Sequence, residues 1–199
     1  MTDEIFARTL VWRDWCLAKG HNDTRGEVNL SGTGETLLHP RAAQYVAELR
    51  QRYGSELKIV IPTNGLCLTD ELAEALAPSA PILLISTHVP LKAARAVQIA
   101  KKHGIYGSAE LAPVQTPNDW GGQVEWIKPD YRYPCLWLHM REVFVDSEGR
   151  ICPCSLDITG ESAVAHVTDA PRELKPKPWR ICKTCYQEIP REMSHEADS

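Results

Sequence analysis

Five of the seven cysteines, Cys135, Cys152, Cys154, Cys182 and Cys185, crowd into the last third of the chain, while Cys16 and Cys67 stand alone. Cys182 and Cys185 form a C-x-x-C pair, a spacing that lets two thiolates from one tight turn reach a single metal or cluster. A redox dithiol would sit between an early strand and a helix, and this pair lies near the end of the chain beside three more cysteines. Between them, Val143 to Cys152 reads as strand, Asp/Gly turn and strand, a hairpin that brings Cys135 near Cys152 or Cys154. Four sulfurs can therefore converge. Zinc and iron-sulfur clusters both accept four cysteines, and spacing does not separate them.

A second chemical feature is the turn Ser31-Gly32-Thr33-Gly34-Glu35. It follows an apolar run and precedes a helix at Pro40, so it belongs at the carboxyl end of a parallel strand, where α/β proteins bind ligands. Gly32 and Gly34 let a ligand approach the backbone, and Glu35 can accept hydrogen bonds from an ammonium group. A dinucleotide fingerprint is excluded because Leu37 stands where the third glycine is needed.

Positioning these groups requires an α/β body. From about residue 26 to 116 short apolar runs alternate with helix-period segments, which predicts β-α-β units and a parallel sheet. Strands are expected at Glu27 to Leu30, Leu57 to Ile61 and Ile82 to Ile85. Ala42, Tyr45, Val46, Leu49 and Tyr53 mark one helix, and Leu68, Leu72 and Leu76 another opened by Thr69 and Asp70. A third is expected to start at Pro90 and stop near Gly104. Residues 2 to 19 read as a helix capped by Thr2, stopped by Gly20, and turning Phe6, Leu10 and Leu17 inward. This helix has no strand before it, so either it packs independently or the chain begins partway through the fold. The turn-rich stretch Thr116 to Gly122 marks a joint, giving a body at 1–116, a cluster domain at 117–191 and a polar tail at 192–199.

The stretch Leu30 to Pro40 resembles the region around the Gly-Gly-Glu-Pro motif of radical S-adenosylmethionine enzymes, with Thr33 and Thr36 as departures. Pro62-Thr63-Asn64-Gly65 resembles the Thr-Asn-Gly that closes the next strand in that family, and Ser86 falls where a polar strand-end residue is common. The resemblance implies that Gly32, Thr33, Gly34 and Glu35 meet the amino group of S-adenosylmethionine, and that Asn64 and Ser86 complete its site. The C-terminal third resembles the auxiliary-cluster extension called SPASM, or twitch in its single-cluster form. It carries Cys135-Leu-Trp137, the Asp146 to Gly149 turn, Cys154-Ser-Leu-Asp157, and Trp179 before the C-x-x-C pair. That alignment implies one auxiliary 4Fe-4S cluster on Cys135, Cys154, Cys182 and Cys185, with Cys152 as a credible substitute ligand.

The implied fold is a partial (β/α) barrel of the radical S-adenosylmethionine type, lacking its first strand and cluster loop, followed by a small β-hairpin cluster domain. The C-x-x-x-C-x-x-C loop that defines catalysis in the family is absent from this chain. In the family that loop would fall just upstream of Met1. With such a loop, the implied function is reductive cleavage of S-adenosylmethionine and hydrogen abstraction from a peptide, protein or small-molecule substrate, fed by an external electron donor. The alternative is a non-catalytic paralogue or α/β binding protein with a structural iron-sulfur or zinc site.

Composition bounds the rest. The 199 residues, 43% of them hydrophobic, suffice for a sizeable core. A net charge of -4 with interspersed signs gives no reason to expect nucleic acid or an anionic membrane as partner. The start Met1-Thr2-Asp3-Glu4 lacks a signal-peptide pattern, and no apolar run approaches the roughly 18 residues of a membrane span, so a cytoplasmic location is expected.

Overall fold

The computed structural model describes residues 1–20, 26–31, 34–86, 90–110, 133–134, 144–154, 157, 159–175, 182 and 187–188. Its first element is helix α1 (Asp3–Ala18), where the Thr2 hydroxyl accepts the Ile5 N–H at 3.3 Å and Asp3 and Glu4 complement the positive end of the helix dipole. The chain divides into a unit of residues 22–114 and a unit of residues 1–21 with 115–199, so α1 groups with the C-terminal part. The sequence-based division at 116 had grouped it with the sheet. Phe6 and Leu10 are buried as expected, but Leu17 is 43% exposed and Trp12 is buried instead. Periodicity identifies a helix face without saying which part of it finds a partner.

The 22–114 unit is an α/β fold. Strand β1 (Glu27–Asn29) leads through a short 3-10 turn (Thr36–Leu38) to α2 (Ala42–Tyr53) and β2 (Lys58–Thr63). Helix α3 (Asp70–Leu76) and a second 3-10 turn (Ala77–Ser79) precede β3 (Ile82–Ser86), and α4 (Pro90–Lys102) precedes β4 (Tyr106–Glu110). The strands lie in the order β1-β2-β3-β4, all parallel. Each crossover therefore advances one strand in the same direction, the consecutive order of a (β/α) barrel and not the reversing order of a doubly wound sheet. Strand β4, Tyr-Gly-Ser-Ala-Glu, contains no β-branched residue and was not among the strands nominated from sequence. Pairing with β3 supplies what its composition lacks, and Gly107 leaves room for α4, since a Cβ there would lie 3.2 Å from the Cβ of Ala100.

The core of this unit is aliphatic. Ile59, Ile61, Leu83 and Ile85 are at most 1% exposed, each burial being worth roughly 2 kcal/mol. Val46, Leu49, Ala73, Leu76, Ala93, Ala96 and Ala100 cover them from the helices. The Thr69 hydroxyl caps α3 by accepting the Leu72 N–H at 3.2 Å. Asp70 then reaches Lys102 Nζ at 2.6 Å and His103 Nε2 at 2.8 Å, joining the start of α3 to the end of α4.

The remaining unit contains a three-stranded antiparallel sheet, β6-β7-β8, and a parallel two-stranded pair, β5 with β9. Their spans are β5 (Tyr133–Pro134), β6 (Phe144–Val145), β7 (Arg150–Cys152), β8 (Ala165–His166) and β9 (Gln187–Glu188). Trp12 packs with Ile151 and Val167, and its indole Nε1–H donates to the Val167 carbonyl oxygen at 3.2 Å. Among the described residues, no helix is long and apolar enough to cross a membrane.

Arg50, in the last turn of α2, donates from Nε to the Ser79 carbonyl at 2.8 Å and from Nη1 to the Gly54 and Leu57 carbonyls at 2.6 and 2.8 Å. One guanidinium thereby ties a helix end, a strand entry and a 3-10 turn. Arg50→Met should lower unfolding free energy by about 2 kcal/mol in urea titration, and Arg50→Lys should recover only part of it because an ammonium cannot reproduce the planar fork.

Candidate functional site

The carboxyl edge of the parallel sheet is closed by short polar side chains acting on backbone. The Leu30 N–H donates to the Val60 carbonyl at 2.8 Å, extending the β1 pairing, and the Thr36 hydroxyl donates back to the Leu30 carbonyl at 2.6 Å. Glu35 caps the first 3-10 turn, its Oε1 accepting from the Leu37 N–H at 3.2 Å. Its Oε2 accepts from the Asn64 N–H at 2.9 Å, so one carboxylate bridges the β1 loop and the end of β2. A carboxylate offers about four acceptor positions, which leaves capacity for a ligand donor.

Beyond β2, Thr63 Oγ1 accepts the Gly65 N–H at 3.0 Å and Asn64 Oδ1 accepts the Leu66 N–H at 2.8 Å, two side-chain turns in succession. Gly65 has φ of +73°, and a Cβ there would lie 2.6 Å from the Cβ of Ala96, so this turn lies against α4 as only glycine permits. Ser86 ends β3, half-buried and opposite Glu110 of β4. Of the six residues expected to bind S-adenosylmethionine, Glu35 and Asn64 are in direct contact, Gly34 adjoins them in the chain, and Ser86 ends the neighbouring strand. Gly32 and Thr33 lie outside the described residues. Sequence reasoning treated Thr36 only as a departure from a motif, and a hydroxyl one residue after Glu35 was the available signal for its turn-closing role.

The expected metal ligands are described in part. Cys135 and Cys185 lie outside the described residues. The segments next to them are paired, Tyr133 with Gln187 and Pro134 with Glu188. Cys154 and Cys182 are each half-buried. Cys152, opposite Phe144 at the end of β7, is fully buried, and its thiol is pushed up to about 11, first by burial and then by the nearby Asp157 charge. A ligand cysteine must ionise, so burial makes Cys152 costly as a ligand and leaves the partly exposed Cys154 better suited to a cluster. Among the described residues no group of three or more His, Cys, Asp or Glu is gathered for a metal.

Two aspartates build the backbone around Cys154. Asp146 Oδ1 accepts the Glu148 and Arg150 N–H groups, both at 2.9 Å, and Oδ2 accepts Arg150 Nε at 2.6 Å, which shapes the β6-β7 turn. Gly149 closes that turn with φ of +87°, where a Cβ would lie 2.8 Å from Val167 Cγ2. Asp157 is 3% exposed and takes five donors. Oδ1 accepts from the Thr159 N–H, the Thr159 hydroxyl and the Gly160 N–H at 3.1, 2.8 and 2.9 Å, and Oδ2 from the Ser162 N–H and hydroxyl at 2.8 and 2.7 Å. Its own N–H donates to the Cys154 carbonyl at 3.3 Å. Burial opposes the charge most strongly, yet the Ser162 and Thr159 hydrogen bonds together outweigh it and hold the carboxyl below its ordinary value.

No protein-family model and no curated protein matches the chain. Among solved structures, its parallel-sheet α/β fold with a small antiparallel sheet is shared with BtrN. The crystal structure of BtrN in complex with AdoMet and 2-DOIA matches with a TM-score of 0.60 and 16% identity, over 84% of this chain and 65% of that one. BtrN in an open conformation, as the selenomethionine protein, matches with a TM-score of 0.53 and 15% identity, over 84% and 63%. The chain thus spans just under two thirds of the solved chain it matches, and at this identity the likeness is one of fold.

Two outcomes test the site as built. Glu35→Ala should cost about 1–3 kcal/mol and speed hydrogen exchange at the Leu37 and Asn64 amides, the two donors it leaves unpaired. Because the folded Asp157 carboxyl titrates below its unfolded value of about 3.9, its stabilisation is complete above that pH and is lost as pH falls through the folded value. Thermal melts between about pH 5 and pH 2 should therefore fall more steeply for wild type than for Asp157→Asn.

Proposed function

We propose that this chain is the substrate-binding body and auxiliary-cluster region of a radical S-adenosylmethionine-type iron-sulfur protein. The observation that carries the reading is the fold likeness to a protein crystallised with AdoMet, extending over 84% of the chain. The 22–114 unit is under half of the chain, so the likeness includes much of the other unit as well. The strand-end resemblances of the sequence fall on the edge where Glu35 joins two βα loops, the place an α/β sheet uses for ligands.

In this reading the Gly32 to Glu35 turn receives the amino group of S-adenosylmethionine, with Asn64 and Ser86 contributing polar atoms from the adjoining strand ends. Glu35 also holds the two loops in register, so binding and positioning fall to one side chain. Cys135, Cys154, Cys182 and Cys185 hold an auxiliary 4Fe-4S cluster. Together with a C-x-x-x-C-x-x-C cluster, bound S-adenosylmethionine supplies hydrogen-abstraction chemistry after reductive cleavage. The substrate is a peptide, a protein or a small molecule, and an external donor provides the electron.

Anaerobic reconstitution with iron and sulfide, followed by metal analysis and an absorption spectrum, tests the reading. About four iron and four sulfide per chain are expected. They should be lost from Cys182→Ala and from Cys185→Ala but kept in Cys152→Ala. A colourless protein with about one tightly held zinc would replace the proposal with an α/β domain carrying a structural zinc site.

A further inference from the structure

We infer that Asp157 is a positioning residue for Cys154, and that its fixed buried charge lowers the reduction potential of the cluster which that ligand holds. The inference rests on the proposed auxiliary cluster and assigns a role within it to a residue that is not itself a ligand. Asp157 is joined to Cys154 through its own N–H, which closes a turn on the Cys154 carbonyl at 3.3 Å. Its carboxylate gathers the following loop through Thr159, Gly160 and Ser162. One residue thus fixes the backbone on both sides of the position from which Cys154 presents its sulfur.

The same geometry fixes a charge. Three backbone N–H groups and two hydroxyls point at the carboxylate oxygens, an arrangement that suits the ionised form because a protonated carboxyl would surrender one acceptor position. The compensation among the described residues comes from dipoles. Arg150 is the nearest cationic side chain to this loop, lying where a Cβ on Gly160 would fall, but its Nε is committed to Asp146 at 2.6 Å and its Nη1 faces Glu148 at 3.4 Å. Asp157 therefore remains a net negative centre in a buried setting. Its field already reaches the neighbouring Cys152 thiol, which it disfavours as thiolate. Net charge and nearby hydrogen bonds set iron-sulfur potentials, and a fixed negative charge opposes the arrival of an electron.

The test is a redox titration of the anaerobically reconstituted full chain, followed by electron paramagnetic resonance, with iron and sulfide counted in each sample. Asp157→Asn removes the charge at constant size and should favour the reduced cluster at least tenfold, a positive shift of about 59 mV for one electron. Ser162→Ala keeps the charge and removes one hydroxyl dipole that offsets it, so its midpoint should move the opposite way with iron content unchanged. A purely architectural role would not give shifts of opposite sign. Fully loaded variants with the wild-type midpoint, or shifts in the same direction, overturn the inference. If Asp157→Asn does not load, Ser162→Ala decides alone, and an unchanged midpoint overturns the inference. A wild-type chain that takes up no iron and sulfide overturns the cluster proposal before any variant is compared.

Discussion

The parallel pairing of β2 with β3 positions everything at the carboxyl edge of the sheet. Val60 to Thr63 run beside Ile82 to Ile85, and the buried Ile59, Ile61, Leu83 and Ile85 make any other register expensive. At roughly 2 kcal/mol for each of these side chains, a slip that turned one strand over would cost more than the polar contacts of the neighbouring loops could return. Those contacts come second in energy and first in geometry. Once β2 and β3 are in register, the ends of adjoining strands stand close enough for one glutamate to accept from two loops.

The other unit solves a similar problem with less apolar surface. Its strands are two or three residues long, and its described core is Trp12, Ile151 and Val167 with a few partly buried neighbours. Aspartates do the shaping. Asp146 and Asp157 each collect backbone donors that the short strands leave without ladder partners, and the buried indole N–H of Trp12 takes a carbonyl of the same hairpin region. An unmet buried donor costs about 1–3 kcal/mol, so these side chains define the turns as firmly as a larger core would. The turn that carries Cys154 gains its geometry from this polar scaffold.

Local signals in the sequence were strong wherever a cap or a breaker stood at an element boundary. Thr2, Thr69, Pro90 and Gly104 mark helix limits by chemistry confined to one turn, and the observed helices follow them. Strands rich in isoleucine and leucine were equally legible. Strand β4 was not, because Tyr-Gly-Ser-Ala-Glu has no intrinsic extended preference and becomes a strand through β3. Trp12 was missed on α1 because its burial depends on the carbonyl of Val167, 155 residues away.

The sequence alone determined the cysteine spacing, the alternation that makes a parallel sheet, and the order of polar residues at successive strand ends, since each rests on neighbours within a few residues. Tertiary structure decided which of those polar residues meet. Glu35 and Asn64 touch because β1 and β2 are adjacent and parallel. Cys152 and Cys154 are two residues apart and chemically identical in sequence, yet one faces the hairpin interior and the other is partly open. That difference is one of solvation, which exists only once the chain has folded around them.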